Sequence, residues 1–339
     1  MTKHTSLFSG IQRRQRRYYI TVAILLLLLM VLVCLNITIG EKIYTLPQVI
    51  DIVLHDPQNY LIMKLRIPRT LAAVFCGFAF AMAGNTFQTL LGNPLASPDI
   101  IGVTSGSTFA AVGCILFLHL NRGIVSVIAV AAGIVTALLI YKLSYVQGFS
   151  KSRLILTGIG FQAFFTALTN WMLMKAAEYD VPTAMRWMTG NLNGITTDTL
   201  PHLMLIVLVA SILLLYLKES IRSLELGEQY ATILGVKVPL IRSCLMICSV
   251  VLIAFATSIS GPIASIAFLS GPIAARICST NQTNYASSAL VGAILVTGGD
   301  FIGQHLLPTR YPVGVVTGLL GAPYLIYLLI RQNNGGKIS

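Results

Sequence analysis

Side chains that could perform catalysis or hold a metal ion are scattered through this sequence and do not converge. The five histidines stand singly near the ends of apolar segments, and none is followed by a second ligand at helical spacing. The six cysteines lie in or beside apolar stretches without a CxxC pair, which is typical of small buried hydrophobic residues. We therefore expect no catalytic residue, no metal site, no cofactor bound by this chain, and no enzyme activity.

One carboxylate, that of Asp300, lies well inside an apolar segment beside the Gly298-Gly299 pair. An acid in that position could bind the coupling ion of a proton- or sodium-driven carrier, although such carriers usually have several ionisable groups in the membrane. A carboxylate that is satisfied by neighbouring helices or by backbone would look the same in the sequence. Both interpretations stay open.

Three bases, Lys64, Arg66 and Arg69, stand close together at the start of another apolar segment. If this end of the segment faces outwards, they run against the usual enrichment of Lys and Arg on the cytoplasmic side. They are either anchors that reach the lipid headgroups or a basic ledge that binds an acidic patch of an extracytoplasmic protein.

Four polar residues, Gln162, Thr166, Thr169 and Asn170, interrupt a further apolar run at helical spacing. Residues three or four apart share a helix face, so the four form one polar stripe. The stripe either bonds to neighbouring helices or lines a wet path through the membrane.

The longest polar stretch between apolar segments covers residues 218–238. Residues 228–234 favour a short helix that Gly235 would end. No GxxxxGK[ST] motif occurs in the sequence, so any ATP would have to be bound by a separate subunit. The stretch is either a pair of interfacial helices that docks such a partner or a solvated loop.

Membrane-spanning helices must position these residues. Hydrophobic residues make up 55% of the chain and charged residues 10%, against about a quarter charged in ordinary soluble domains. The bases cluster at the ends of apolar runs, which fits the positive-inside rule and excludes a nucleic-acid-binding face. With both termini in the cytoplasm, we predict ten crossings in membrane lipid: residues 18–38, 70–91, 99–119, 123–144, 153–174, 200–217, 239–260, 263–277, 286–307 and 314–330.

The predicted organisation is one all-α transmembrane domain, residues 18–331, between a basic cytoplasmic tail of residues 1–17 and a second tail of residues 332–339. Its eighth crossing is short. The sequence SGPIA occurs at residues 260–264 and again at residues 270–274. The first Gly-Pro pair would open a helix and the second would break it. This segment is either two kinked turns packed inside the bundle or a half-helix beside a transport route.

Four motifs resemble those of the FecCD permeases, the membrane subunits of ABC importers for iron-siderophore complexes, haem and vitamin B12. In chain order they are RIPRT at residues 66–70, GNPLASPDIIGVTSG at 92–106, LGEQYATILGV at 226–236 and YPVGVVTGLLGAP at 311–323. The resemblance covers about residues 20–331 and is closest to the ferric-siderophore branch.

The resemblance implies a type II ABC importer permease with ten transmembrane helices, which moves its cargo into the cytoplasm by alternating access. It also implies a second permease subunit, either a different homologue or a second copy, and two ABC ATPase subunits that use ATP. An extracytoplasmic siderophore-binding protein completes the implied assembly, in the cytoplasmic membrane of a bacterium.

The resemblance further implies roles for individual residues. Arg66 and Arg69 match arginines that meet acidic residues of the binding protein, and the helix that carries the polar stripe is similar to the one that lines the translocation path. Gln304 stands where many members have an arginine, so Arg310 is the candidate for the third docking contact. The candidate coupling residues are Leu226, Gly227, Glu228, Ala231, Leu234 and Gly235.

Other functions remain open on the sequence. An ion-gradient-driven carrier would work without an ATPase, and a membrane enzyme acting on lipid would need a catalytic dyad that the sequence does not offer. Within the resemblance, haem or vitamin B12 is the alternative to a siderophore complex as cargo.

Overall fold

The structure, a computed structural model, describes residues 2–94, 96–145, 149–278 and 285–335, and this part of the chain is helical. A 3-10 turn covers Pro98–Ile101, and π-helical turns cover Tyr60–Arg66 and Ile302–Leu306. The α-helices are α1 Thr2–Thr38, α2 Leu46–His55, α3 Ile67–Leu91, α4 Val103–Phe117, α5 Arg122–Ser144, α6 Lys151–Lys175, α7 Val181–Met188, α8 Leu200–Tyr216, α9 Lys218–Glu225, α10 Glu228–Ile233, α11 Val238–Ser260, α12 Ile266–Cys278, α13 Tyr285–Phe301 and α14 Val313–Gly335.

Each of the ten predicted crossings coincides with an α-helix. Six helical segments of the described chain are long and apolar enough to cross a bilayer, and a seventh is obtained if α8 and α9, which meet at a 62° bend, count as one span. The remaining three predicted crossings are the shorter apolar helices α4, α12 and the apolar part of α14. The all-helical membrane fold is thus confirmed.

The two terminal helices reach into both predicted tails. α1 begins at Thr2, inside the predicted amino-terminal tail, and α14 extends to Gly335, inside the predicted carboxyl-terminal tail. Residues 336–339 of that second tail lie outside the described residues.

Helix α3 is the centre of the bundle, and its span is almost wholly buried. Small residues let other backbones approach it closely, as they do where apolar solvent supplies no hydrophobic driving force. A Cβ atom on Gly77 would clash with the backbone of Ala293 in α13, and one on Gly84 would clash with the carbonyl of Ala267 in α12. α3 therefore holds both partner helices at backbone contact.

The chain unwinds between α11 and α12. α11 ends at Ser260, where Gly261 has a φ of 71°, and α12 begins only at Ile266 after Ser265 with a φ of 75°. The expectation that the first Gly-Pro pair opens a helix is therefore wrong by several residues, because residues 261–265 form a non-helical link. Unwound backbone inside a membrane-spanning bundle is tolerated where it is buried in protein or lines a cavity.

The second Gly-Pro pair does not break α12, contrary to expectation. Pro272 lies inside the helix, so the carbonyl of Phe268, one turn earlier, receives no amide hydrogen bond from it. The side-chain amide of Gln88 in α3 donates to that carbonyl at 2.9 Å. A neighbouring helix thus replaces the bond that proline removes, and the helix continues.

We predict that Gly84→Ala destabilises the bundle, because the added methyl group must push α12 away from α3. Forcing a methyl group into a packed core costs about 1–3 kcal/mol. The matched control is Gly160→Ala in α6, where a Cβ atom would meet nothing within 4 Å. Thermal unfolding in detergent measures both variants, and equal melting temperatures for the two would contradict the close α3–α12 contact.

Candidate functional site

The carboxylate of Asp300 is buried in an ion pair. Asp300 lies near the end of α13 with 2% of its side chain exposed, and Arg69 lies in the first turn of α3. Arg69 donates from Nε to Oδ2 at 2.8 Å and from Nη2 to Oδ1 at 2.6 Å. Such a bidentate pair offsets the cost of holding charges away from water. Asp300 is therefore satisfied by a neighbouring helix, one of its two predicted interpretations.

Asn193 joins this ion pair to a second arginine. Its side-chain oxygen accepts a hydrogen bond from Arg69 Nη1 at 2.5 Å, and its backbone oxygen accepts one from Arg122 Nη1 at 2.5 Å. Arg122, at the start of α5, also donates to the carbonyl of Ile259 at 3.0 Å, just before α11 unwinds. A connected polar network thus runs from Arg69 to the unwound link.

Sequence analysis missed Asn193 and Arg122. Neither stands in one of the motifs, and their partners lie 71 to 137 residues away along the chain. The signal that could have found Arg122 is its charge at the first position of an apolar helix.

Arg66 and Arg69 do not share one free surface. The Arg66 guanidinium donates to the carbonyls of Ile37 at 2.8 Å, Thr38 at 3.1 Å and Lys42 at 2.6 Å, and it lies over the ring of Tyr44. It therefore fastens the connection between α1 and α2, whereas Arg69 turns to Asp300. Both side chains are half-buried and bonded within the chain.

Arg310 is the most exposed of the three predicted docking arginines. It forms an ion pair with Glu41, with 62% of the Arg310 side chain and 82% of the Glu41 side chain exposed. An exposed pair of this kind contributes little to stability, so it can exchange partners at small cost.

The four residues of the polar stripe line one cavity of about 340 Å³. The opposite wall includes Pro262, Ile263 and Ala264 of the unwound link and Ala267 of α12. Polar groups of the 3-10 turn and of α4 complete the wall: Asp99, Thr104, Ser105 and Thr108. The predicted stripe and the predicted half-helix region therefore meet at one cavity, which we call the central cavity.

The stripe hydroxyls are not used to bind other helices. Thr166 Oγ1 donates to the carbonyl of Gln162 at 2.7 Å, and Thr169 Oγ1 donates to that of Phe165 at 2.8 Å, both within α6. Gln162, Thr166 and Asn170 are exposed in the isolated chain, and Thr169 is buried. This arrangement leaves polar atoms facing the cavity and favours the wet-path interpretation over the helix-bonding one.

The polar stretch of residues 218–238 folds into the predicted pair of short helices, α9 and α10. Gly227 and Gly235, with φ of 109° and 82°, flank α10 as left-handed positions that suit glycine. Ala231 is fully buried and fixes α10 to the bundle. The opposite side presents exposed apolar side chains, which we call the apolar docking surface: Leu226, Tyr230, Ile233 and Leu234.

A second cavity, of about 440 Å³, lies beneath α10. Glu225, Glu228 and Arg242 line it on one side, and Asn85, Gln88 and Gly271 of α3 and α12 line it on the other. Because the central cavity also touches α3 and α12, at Phe80 and Ala267, the two cavities follow the same pair of helices on either side of the Gly84–Ala267 contact.

Within the described residues, no group of three or more His, Cys, Asp or Glu side chains is placed to hold a metal ion. The cysteines of this part are free thiols. The candidate functional sites of the described residues are the ionic network around Asp300, the two cavities and the apolar docking surface.

The family model of the FecCD transport family matches residues 28–331. The chain belongs to the FecCD transport family. All four motifs that carry the resemblance lie in the matched range, so the predicted family is confirmed.

Individual members and one solved structure agree with this membership. The ferric enterobactin transport system permease protein FepG of Escherichia coli is 37% identical over 277 residues, covering 80% of this chain and 83% of FepG. FepD, named for the same system, is 33% identical over 283 residues, covering 81% and 84%. A chain of a metal-chelate type ABC transporter solved in an inward-facing conformation superposes with a TM-score of 0.81 at 28% identity, covering 91% of this chain and 98% of that one.

We predict that Asp300→Ala destabilises the protein strongly, because it leaves the half-buried Arg69 guanidinium without its carboxylate. Removing one partner of a buried pair costs about 3–5 kcal/mol. The double variant Arg69→Met, Asp300→Ala should recover much of this loss, since it leaves no unpaired charge. Thermal unfolding measures the cycle, with Ala at the exposed Asp198 as the control. A double variant no more stable than the Asp300 single variant would contradict the pairing.

Proposed function

We propose that this FecCD permease forms half of the pore of an ATP-driven importer that carries a ferric-siderophore complex into the cytoplasm. The observation that carries the proposal is the central cavity, where the polar stripe of α6 faces the unwound link between α11 and α12. Broken helices at a polar cavity are typical of substrate sites in transporters. The chain itself performs no chemistry on the complex.

A second permease subunit faces the polar side of α6 across the passage. Between residues 20 and 31 of α1 the exposed side chains are all apolar, which suits lipid, whereas the exposed face of α6 includes Gln162, Thr166 and Asn170. Polar groups of this kind are costly against hydrocarbon and face protein or water. FepG and FepD, both relatives of this chain, carry the name of one transport system, which favours a pair of unlike permeases.

The importer has two ABC ATPase subunits that hydrolyse ATP, and one of them binds the apolar docking surface at α10 of this chain. Exposed Leu226, Tyr230, Ile233 and Leu234 form a compact apolar patch on a polar segment, and patches of this kind mark protein interfaces. Buried Ala231 and the two positive-φ glycines keep α10 in place beneath the patch. This side of the protein lies in the cytoplasm together with both termini, in the cytoplasmic membrane of a bacterium.

An extracytoplasmic siderophore-binding protein docks on the opposite side through Arg66, Arg69 and Arg310. Arg310 is the most accessible, and an acidic residue of the binding protein can replace Glu41 as its partner. Arg69 can reach an external carboxylate only by sharing its guanidinium with Asp300 and Asn193. Docking at Arg69 would therefore disturb the network that ends at the unwound link.

Alternating access follows from these contacts. ATP-driven closure of the ATPases moves α9 and α10, and the second cavity, beneath α10, gives these helices room to shift against α3 and α12. The close Gly84–Ala267 contact lies between the two cavities. We expect it to separate when the pore opens to the cytoplasm and to close when the pore opens to the outside. An ion-driven carrier is less well supported, because the buried acid Asp300 is occupied by Arg69.

The test is reconstitution of the chain with its second permease, the ATPase and the binding protein in vesicles. We expect ATP-dependent accumulation of a ferric siderophore, with no accumulation when the ATPase is left out. Haem and cobalamin, offered in parallel, should not accumulate. Accumulation driven by an ion gradient, with this chain as the only protein, would contradict the proposal.

A further inference from the structure

Arg242, at the cytoplasmic start of α11, is a charged residue held almost entirely inside the protein. It lies in the second turn of the helix, with 8% of the residue exposed. Its Nη2 forms an ion pair with Oε1 of Glu228, the first residue of α10. The guanidinium also lies 4.1 Å from the centre of the Phe149 ring, in the connection between α5 and α6.

These two contacts use different properties of one group. The guanidinium is planar, so its edge can bind a carboxylate while its face stacks on an aromatic ring. A lysine ammonium offers neither the planar stack nor the forked geometry. The Arg242 side chain is therefore a joint between three elements: α10, α11 and the segment that leads into α6.

Both elements that meet α10 at this joint lead to the central cavity. α11 runs from Arg242 to Ser260, where the chain unwinds into the link that forms one wall. α6 begins at Lys151, two residues after Phe149, and carries the polar stripe of the other wall. A shift of α10 at the joint would therefore displace the first turns of α11 and α6, the two helices that lead to the walls of the central cavity.

We propose that Arg242 is the positioning residue that transmits the movement of α10 to α11 and α6. This inference rests on the proposed function, since it needs ATPases that move α10. Glu228 connects Arg242 to α10, because its half-exposed carboxylate moves with this short helix and displaces the guanidinium through the ion pair. Phe149 passes the displacement to α6. The second cavity, which both Glu228 and Arg242 line, leaves space for this motion.

The experiment measures uptake and ATP hydrolysis together in vesicles that contain the complete importer, and reports siderophore complex accumulated per ATP hydrolysed. Breaking a contact by Arg242→Lys, Glu228→Gln or Phe149→Leu should lower this ratio by about fivefold or more, within the range found for directly interacting residues. The charge exchange Glu228→Arg with Arg242→Glu should raise the ratio above that of either single exchange. Asp51→Asn, which breaks an exposed ion pair with His55 far from the joint, should not change it.

The outcomes separate the inference from the proposed function. Wild-type vesicles that hydrolyse ATP without accumulating the complex would contradict the proposed function. A working wild type whose three joint variants keep its ratio would overturn the role of Arg242. Loss of the ATPases from the purified variant complexes would also overturn it, because the residues would then secure docking instead of transmitting movement.

Discussion

The structure depends on one constraint: inside a membrane, each polar group must be paired within the protein or face water. The buried carboxylate of Asp300 meets the guanidinium of Arg69, and the carbonyl that Pro272 leaves without a donor meets the amide of Gln88. The stripe on α6 is different, because its exposed side chains have no covering helix in the isolated chain. These polar side chains must therefore face water in a passage between this chain and a second subunit.

The features that could be predicted from the sequence are local ones. Apolar runs of bilayer length gave the positions of the ten helices, since each helix needs only its own residues to satisfy its backbone. The stripe from Gln162 to Asn170 followed from helical spacing alone, and α10 followed from its helix-forming residues and Gly235. The four motifs identified the family, which no single local pattern could have done.

The features that could not be predicted depend on residues far apart in the chain. Arg66 and Arg69 share a spacing that suggests one common surface, yet each turns to a different neighbour because a π-helical turn ends at Arg66 and α3 begins after it. Pro272 looks like a helix breaker until Gln88, 180 residues away from the carbonyl of Phe268, supplies the missing donor. The joint at Arg242 likewise needs Phe149 and Glu228, which spacing does not connect.

The central claim is that the stripe on α6 lines a wet passage, and the accessibility of single cysteines tests it most directly. In a variant whose six native cysteines are replaced, cysteines are placed at Gln162, Thr166 and Asn170, and at the exposed apolar positions Leu26 and Leu27 of α1 for comparison. In membranes that contain the assembled importer, the account predicts that a small water-soluble thiol reagent modifies the three stripe positions and spares both α1 positions. Stripe cysteines as unreactive as those on α1 would contradict it.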